Sequence, residues 1–489
     1  MIRWLLPRLG DFLFVAIMVG CMLLGQRMLN IDSDLGRHLV LGSYILDSRT
    51  IPVRDVLSFT RAGESRPPYE WAAQVAFATV NRLLGLDGPV LLAACVIAAS
   101  FLIVYLDGRR RSSSPLLSLA FSIWAAAASS LHWLTRPHVF SFLFMVVWLR
   151  LLEDVRLGHR RSLWQLPLVM LVWANVHGGF IIGFLAWAAY VAGWAAERLR
   201  RPTSREVGIR LVLVGVASLL ASVVTPDVWR NWAAVLRNSS SYILERTAET
   251  LPVDLVARGS WPFLGLVGIA LVLVILNWRT MTPAHGLLLF GLATLAMAMA
   301  RNIPFFAIGA VPILATWSRH ALNERGKVAQ LESRISRFDS SLRGFVWPPV
   351  AVVTAVLLLA NHTWTTGRNA YGYSPVVFPV LATDWVRQHP ISGHVFNDMN
   401  WGGYLLYRMW PEQQVFIDSQ TDFYGERFVR QYEAIITAAN GWQHELAAGN
   451  VSWVLISPRS PLAMQIRGAS GWKLAYEDRT AVIFVREPG

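Results

Sequence analysis

The chain has 489 residues, of which 54% are hydrophobic and only 15% are charged, and its mean hydropathy is +0.42. This composition is too apolar for an ordinary soluble protein and indicates a membrane protein. The net charge of +13 could suit nucleic acid, but the basic residues lie in connectors between apolar segments, so we expect no nucleic-acid partner.

Apolar segments long enough for membrane-spanning helices recur through the first three quarters of the chain. A helix of about 17 to 25 residues crosses the roughly 30 Å of hydrocarbon in a bilayer. No small-residue cleavage site follows the first segment, so we expect a retained helix and not a secretory signal. The sequence predicts about eleven spans, at residues 11–29, 88–106, 115–134, 138–152, 163–177, 178–196, 208–224, 262–278, 283–300, 303–317 and 347–361.

Arginine-rich connectors follow every second predicted span, at residues 108–114, 153–161, 197–210, 279 and 319–343. Lysine and arginine in short loops resist translocation, so these connectors are expected in the cytoplasm, where they meet the head groups of membrane lipids. The N-terminus is then cytoplasmic. The other connectors and the chain beyond residue 361 face outward. The predicted fold class is an α-helical polytopic membrane protein with a transmembrane domain (1–361) and an extracytoplasmic α/β domain (362–489).

The first outward loop (30–87) begins with the string "DSDLGRHLVLGSYILDSRTIP". Asp34, Arg37 and His38 share one face of a predicted helix over about 34–48, where a neighbouring cation keeps the carboxylate ionised. Leu35, Leu39 and Leu46 form an apolar stripe that suits a helix lying on the membrane surface. Alternatively, Asp32 or Asp34 serves only as the cap of that helix.

Further polar side chains lie at the predicted outer ends of the spans. Ionisable groups near the bilayer are usually paired or line a wet cavity. Arg136 and Arg301 lie in tight turns, where a guanidinium either binds a phosphate or reaches lipid head groups. His177 is either a turn histidine or a donor to an anionic leaving group. The full set is Glu70, Arg136, His138, His177, Asp227, Arg230, Glu245 and Arg301.

Several kinds of site are not indicated by the sequence. Cys21 and Cys95 both lie in apolar spans and offer neither a disulfide to the tail nor a metal cluster. The chain has no P-loop, GxGxxG, CxxC or HExxH string, so nucleotide-driven transport and zinc proteolysis lack support. No predicted span carries a charge at its centre, which weighs against an ion channel or proton-coupled carrier.

The tail beyond residue 361 has the short apolar runs of an α/β domain. Residues 394–398, 414–418 and 452–457 are predicted strands, and 383–389 and 425–449 are predicted helices. Residues 472–478 and 480–487 form a predicted hairpin. Polar and aromatic residues at the strand ends suit a carbohydrate, or else serve as turn residues. They are Asn397, Asp398, Trp401, Asp418, Asp422 and Tyr424.

These features together resemble the type C glycosyltransferases, which are multi-span enzymes that use polyprenyl-phosphate sugars. The similarity includes the first-loop "DSD", "RPHVFS" (136–141), "NVHGG" (175–179), "NWGGYL" (400–405) and "VFIDSQTDFYG" (415–425), and it covers nearly the whole chain. More narrowly, the chain resembles bacterial members with a first-loop D-x-D. The resemblance implies a multi-pass protein of the bacterial inner membrane.

The resemblance also implies roles for the candidate residues. Asp34, or secondly Asp32, is expected to be the catalytic base. The donor phosphate is expected to bind Arg136, Arg301, His138, His177, Arg37 and His38. The acceptor is expected to contact Glu70, Asp227, Glu245, Asn397, Asp398, Trp401, Asp418, Asp422 and Tyr424. Some relatives require a divalent cation (Mg or Mn), for which Asp32 and Asp34 are the ligand candidates here.

The predicted function is therefore inverting transfer of a sugar from a polyprenyl-phosphate carrier to a glycan, lipid or protein acceptor outside the cytoplasm. Two alternatives remain open from the residues alone. The first is a lipid-linked glycan flippase or envelope-assembly scaffold without transferase activity. The second is a ligase or polymerase of whole oligosaccharides.

Overall fold

The computed structural model describes residues 5–159, 162–200, 204–237, 241–245, 248–321, 327–342 and 344–487. The helices that precede the tail are α1 (Leu9–Leu23), α2 (Gly25–Asn30), α3 (Asp34–Ser48), α4 (Trp71–Leu84), α5 (Asp87–Ser112), α6 (Pro115–Ser129), α7 (His138–Arg156), α8 (Ser162–Val176), α9 (Phe180–Arg200), α10 (Arg205–Ser222), α11 (Arg230–Arg237), α12 (Ser241–Leu244), α13 (Trp261–Asn277), α14 (Pro283–Ala298), α15 (Ile303–Ala321), α16 (Lys327–Ser341) and α17 (Trp347–Thr366).

Each predicted span overlaps helices of this series, and the first, 11–29, runs across both α1 and α2. Within the described ranges, five helical segments are long and apolar enough to cross a membrane: Asp87–Ser112, Pro115–His132, Phe180–Leu199, Arg258–Asn277 and Trp347–Thr366. Helices α1, α8 and α14 are apolar but shorter. The chain is thus a multi-pass membrane protein, and eleven crossings remain a prediction.

Local chemistry explains where several of these helices begin and end. The Ser114 hydroxyl accepts a hydrogen bond from the Leu117 amide at 3.2 Å, and Pro115 follows it as the first residue of α6. Helix α17 ends at Gly367, whose φ of +68° is the left-handed conformation that favours glycine. These signals set the boundaries at positions where the apolar pattern alone is ambiguous.

Helix α5 lies at the centre of the bundle, in contact with α1, α4, α6, α7 and α15. Its side chains Ile97, Phe101 and Val104 are fully buried, together with Trp148 of α7. A helix that is apolar all round is expected at such a central position. The bundle therefore provides a rigid base for the loops at its ends.

The first loop contains the predicted helix α3, but that helix does not present its apolar stripe to the membrane. Leu35 and Leu39 are buried at 1% and 2% exposure, in a cluster with Leu29 and Phe77. The additional helix α4, which we did not predict, packs along α3 and supplies Phe77. The interfacial role predicted for Leu35 and Leu39 is wrong because protein covers them, whereas Leu46 is partly exposed.

The tail comprises α18 (Val380–Gln388), β1 (His394–Asn397), α19 (Gly402–Met409), α20 (Thr421–Ile436), α21 (Trp442–Ala448), β2 (Val451–Ile456), α22 (Pro461–Ile466), β3 (Trp472–Glu477) and β4 (Val482–Arg486). The sheet has the strand order β1-β2-β4-β3. Strands β1 and β2 are parallel, and β4 is antiparallel to both β2 and β3, which includes the predicted hairpin.

Two predicted tail elements differ in the structure. Residues 414–418 do not form a strand, because Asn397 bonds the Phe416 amide and the Ile417 carbonyl while Val415 pairs with the first loop. The predicted helix over 425–449 is divided into α20 and α21. Gly441 precedes α21 with a φ of +92°.

The tail contacts the first loop where α19 crosses α3. A Cβ on Gly36 would lie 2.1 Å from the Gly403 carbonyl oxygen, and a Cβ on Gly403 would lie 2.1 Å from the Ser33 oxygen. Only glycine permits this approach of the two backbones. The crossing brings the chain that follows α19 to the start of α3.

Candidate active site

A large cavity lies between the first loop, the turns at one end of the bundle and the tail. It contains about 1890 Å³ of space, including part of the open solvent at its mouth. Its polar wall includes Asp34, Arg37, Tyr69, Glu70, Arg136, His138, His177, Glu249, Arg301, Ser419, Gln420 and Asp422. Its apolar wall includes Leu134, Phe142, Ile181, Ile182, Leu185, Leu236, Ile243, Leu244, Leu295, Met299 and Phe305. The cavity thus combines ionisable groups with a surface that suits a hydrocarbon chain.

Arg136 lies at the centre of a cluster of carboxylates. It forms ion pairs with Asp32 and Asp34, the latter at 2.6 Å. Both carboxylate oxygens of Glu249 lie 3.3 Å from the Arg136 Nη1 atom. The predicted phosphate ligand Arg136 therefore already has three anionic partners.

Asp34 is held by cationic and polar partners on both oxygens. Arg37 lies 3.1 Å from Oδ1, and the Ser419 hydroxyl donates a hydrogen bond to the same oxygen. Burial by itself would raise the pKa of Asp34, but Arg136, Arg37 and Ser419 together hold that pKa well below its usual range. Asp34 is consequently ionised at neutral pH and is a weak proton acceptor.

Asp32 has the opposite protonation behaviour. Burial raises the pKa of Asp32 to about 6, against the lowering effect of Arg136, and the charge of Asp34 raises it further. Its Oδ1 atom also accepts a hydrogen bond from the Asp34 amide at 2.9 Å. Asp32 thus bonds the first amide of α3, but the cap position itself is Ser33, so neither Asp32 nor Asp34 is the cap.

Glu70 lies in the cavity wall between two histidines. Its carboxylate oxygens are 3.9 Å from His38 Nδ1 and 3.8 Å from His177 Nε2. Among the described residues, no donor makes a hydrogen bond to the Glu70 carboxyl. Burial raises the pKa of this carboxyl to about 7, although Arg37 and Arg136 act to lower it. Glu70 thus exchanges its proton near neutral pH.

His177 presents a donor to the cavity. Its Nδ1 atom accepts a hydrogen bond from the Gly179 amide at 3.0 Å and lies 2.8 Å from the Ser141 hydroxyl. Because Nδ1 is an acceptor, the proton of the neutral ring is on Nε2, which points toward Glu70. Burial holds the pKa of His177 well below its usual value, so the ring is neutral.

The other predicted phosphate ligands differ in their access to the cavity. Among the described residues, Arg301 lines the cavity with no hydrogen-bond or ion-pair partner. His138 lines it too and donates from Nε2 to the His132 carbonyl at 2.8 Å. Arg37 lines the cavity but is committed to Asp34 and to Gln420, at 2.8 Å. His38 is 1% exposed and lies behind the wall, so its predicted phosphate contact is wrong in this arrangement.

Of the predicted tail residues, Asp422 lines the cavity, where it lies 3.4 Å from the Tyr69 hydroxyl. Asp418 is fully buried and lies 3.0 Å from Arg66 and 3.8 Å from Arg37. Tyr424 is buried against it and donates to the same carboxylate at 3.2 Å. Asp418 and Tyr424 therefore join the tail to the first loop and do not face the cavity.

Three more tail residues have structural contacts away from the cavity. Asn397, the last residue of β1, is fully buried and bonds residues 416–417. Asp398 accepts from the Asn400 amide at 2.9 Å, as a cap, and the Trp401 indole donates to the Val377 carbonyl at 3.0 Å. For these residues the structural alternative applies, and the predicted acceptor contacts are wrong.

Two residues of the 225–261 loop also lie outside the cavity lining. Asp227 pairs with Arg230 at 3.5 Å. Glu245 is exposed. Neither residue faces the cavity, where the same loop presents Leu244 and Glu249 instead.

Several polar residues of the wall were not predicted from the sequence, among them Tyr69, Glu249, Ser419 and Gln420. Ser419 and Gln420 lie inside the string "VFIDSQTDFYG", whose resemblance to the family's tail motif could have indicated that they belong to the site. Gln420 accepts hydrogen bonds from both Arg37 and Arg66 and so connects them. Glu249, in "RTAETLP", has no comparable signal in the sequence.

The carboxylates of this cluster do not fit a divalent cation as they are arranged. The Arg136 guanidinium lies between the oxygens of Asp32, Asp34 and Glu249, where a cation shared by these ligands would lie. In the described part of the chain, no three His, Cys, Asp or Glu side chains are grouped to hold a metal ion. A metal on Asp32 and Asp34 would have to displace Arg136.

Neither a protein-family profile nor a curated protein matches the chain significantly. Among solved structures, ArnT from Cupriavidus metallidurans in the apo state aligns with a TM-score of 0.53 at 13% identity, over 97% of both chains. The apo oligosaccharyltransferase of Archaeoglobus fulgidus aligns with a TM-score of 0.51 at 11% identity, over 90% of this chain and 69% of that one. Both proteins are type C glycosyltransferases. The resemblance predicted from the motifs is confirmed at the level of architecture, and this chain has the type C glycosyltransferase fold.

Proposed function

We propose that this chain transfers a sugar from a polyprenyl-phosphate-linked donor to an acceptor hydroxyl in the cavity, on the extracytoplasmic side of the bacterial inner membrane. One observation supports the proposal: Arg301, a cation with no hydrogen bond or ion pair among the described residues, lies in the same cavity as an ionised carboxylate cluster and an apolar wall. A lipid phosphate needs both surfaces.

The reaction is a single displacement at the anomeric carbon. The acceptor oxygen forms a bond to that carbon while the bond to the phosphate oxygen breaks, which inverts the anomeric centre. The hydroxyl proton passes to a carboxylate, and the phosphate leaves with the bonding electrons. Arg301 and the His177 Nε2–H stabilise the negative charge that develops on the phosphate.

Glu70 is the better candidate for the proton acceptor. A general base works best when its pKa lies near the operating pH, and burial gives Glu70 a pKa of about 7. Asp34, which we predicted for this role, is held ionised by its cationic neighbours and accepts a proton less readily. In the proposal, Asp34 orients Arg136 and Arg37, and Asp32 assists it.

The test is transfer from radiolabelled polyprenyl-phosphate hexoses by the purified chain in nanodiscs. Arg301→Ala is expected to lower kcat about 10²-fold or more, because it removes electrostatic stabilisation of the leaving phosphate. Arg301→Lys is expected to recover part of this loss. The matched control is Arg230→Ala, which removes an exposed arginine outside the cavity.

Equal activity of the wild type and Arg301→Ala would contradict the proposed phosphate site. Binding of the lipid donor without any transfer, across a panel of glycan, lipid and protein acceptors, would instead favour the flippase or scaffold alternative. Transfer of whole oligosaccharides in preference to single sugars would favour the ligase or polymerase alternative.

A further inference from the structure

Glu249 is the most weakly held of the three carboxylates on Arg136. Both its oxygens are 3.3 Å from Nη1, whereas Asp34 lies at 2.6 Å and Asp32 is also in close contact. The Glu249 side chain is 28% exposed, while that of Asp34 is 6% exposed. Glu249 is therefore the partner that can leave Arg136 with the least disturbance of the cluster.

The chain around Glu249 covers one side of the cavity. We call residues 241–245 and 248–253 the cover segment. Ile243 and Leu244 of this segment line the cavity. At one end, Tyr242 stacks under the Arg430 guanidinium at 3.5 Å and bonds Glu433, both on α20.

The other end of the cover segment is attached to the end of α14. The Ala300 amide donates to the Leu251 carbonyl at 3.0 Å, and the Val253 amide donates to the Met297 carbonyl at 3.1 Å. Glu249 thus lies between two attachment points, and its contact with Arg136 links the segment to the first-loop carboxylates through that guanidinium.

A phosphate can bind Arg136 favourably only if Glu249 moves away from that guanidinium. Arg136 already faces three carboxylates, so a phosphate approaching it meets the negative charge of Glu249. Arg301 lines the same cavity without a hydrogen bond or ion pair among the described residues, and its charge, after that of Arg136, lowers the pKa of Glu249 from a distance, so it offers the first contact for an anion. Like charges in a partly buried site repel strongly, so phosphate and Glu249 compete for Arg136.

Resting on the proposed function, we propose that Glu249 occupies the place of the donor phosphate on Arg136 and that the arriving lipid phosphate displaces it. The exchange replaces one anion by another and involves no covalent step. The cover segment then moves with Glu249, so the wall formed by Ile243 and Leu244 is rearranged only when a phosphate is present. Glu249 thereby lowers the affinity for the lipid phosphate and couples its binding to the position of the cover segment.

The experiment measures the Kd of undecaprenyl phosphate for the full chain in nanodiscs, by native mass spectrometry. Glu249→Gln keeps the shape of the side chain and removes the competing charge. It is expected to bind the lipid about two- to fivefold more tightly than the wild type, in line with the free energy of a partly exposed ion pair. Glu245→Gln changes an exposed carboxylate of the same segment outside the cavity and is expected to leave Kd unchanged.

Different outcomes separate the failure of this inference from failure of the proposed function. Unchanged or weaker binding by Glu249→Gln, with tight binding by the wild type, overturns the displacement of Glu249 alone. If the wild type does not bind undecaprenyl phosphate, or if Arg301→Ala binds it as well as the wild type does, the proposed phosphate site itself fails. Undecaprenol, which lacks the phosphate, is expected to bind wild type and Glu249→Gln equally.

Discussion

Two first-loop carboxyl groups in one cavity have opposite protonation behaviour because of their neighbours. Asp34 contacts two arginines and a hydroxyl, so its charged form is stabilised. Among the described residues, Glu70 has two histidines within 4 Å and no hydrogen-bond donor, and burial favours its neutral form although Arg37 and Arg136 oppose this. Separation of pKa values in this way assigns distinct roles to chemically similar groups.

Because Glu70 has a pKa of about 7, we expect the transfer rate to depend on pH. The deprotonated form is the proton acceptor, so kcat rises with pH below about 7 and levels off above it. Glu70→Gln is expected to lose about 10²- to 10⁴-fold in kcat and the pH dependence as well. The measurement is a pH profile of sugar transfer from pH 5 to 9.

Asp34→Asn is the comparison for this prediction. It is expected to lower kcat while it keeps the inflection near pH 7, because Glu70 remains. If Asp34→Asn abolishes the inflection and Glu70→Gln retains it, Asp34 is the base, as the sequence analysis predicted.

At the scale of elements, the site depends on the crossing of α3 and α19. Gly36 and Gly403 allow the two backbones to touch. The ion pairs of Arg66 with Asp55 and Asp418 hold the first loop to the tail nearby. The buried position of these charges means that each partner depends strongly on the other.

Gly403→Ala is expected to destabilise this crossing. Its Cβ would lie 2.1 Å from the Ser33 carbonyl oxygen, so the backbones must separate, at a cost of about 1–3 kcal/mol. The measurement is thermal unfolding in detergent together with limited proteolysis of the tail. Gly468→Ala is the control in the same domain, since no atom lies within 4 Å of its added Cβ. Equal melting temperatures of the two variants would contradict the predicted clash.

At the scale of the whole molecule, the cavity lies at one end of the helix bundle, between the bundle and the tail. The basic connectors predict that this face is extracytoplasmic. The opposite ends of the helices carry a separate set of ion pairs, such as Arg109 with Asp339 of α16 and Arg111 with Asp107. The cavity and α16 should therefore be on opposite sides of the membrane.

Cysteine labelling in spheroplasts tests this orientation. Gln388→Cys in the tail is expected to react with a membrane-impermeant maleimide in intact spheroplasts, because its position is exposed outside the cytoplasm. Ser340→Cys on α16 is expected to react only after lysis. The native Cys21 and Cys95 lie within the bundle and provide the background. The reverse pattern would place the cavity in the cytoplasm.

The sequence by itself determined the helices at the predicted spans, helix α3, the hairpin of the tail, and the candidates Asp34, Arg136, His177 and Arg301, which line one cavity. Apolar length and turn chemistry are local properties, so they can be read along the chain. Only the tertiary structure decided the partners of each charge. Glu249 meets Arg136 across 113 positions, and Ser419 meets Asp34 across 385. The sequence assigned Asp418 to the acceptor, whereas the structure buries it against Arg66. This burial depends on the α3–α19 crossing, which no local pattern encodes.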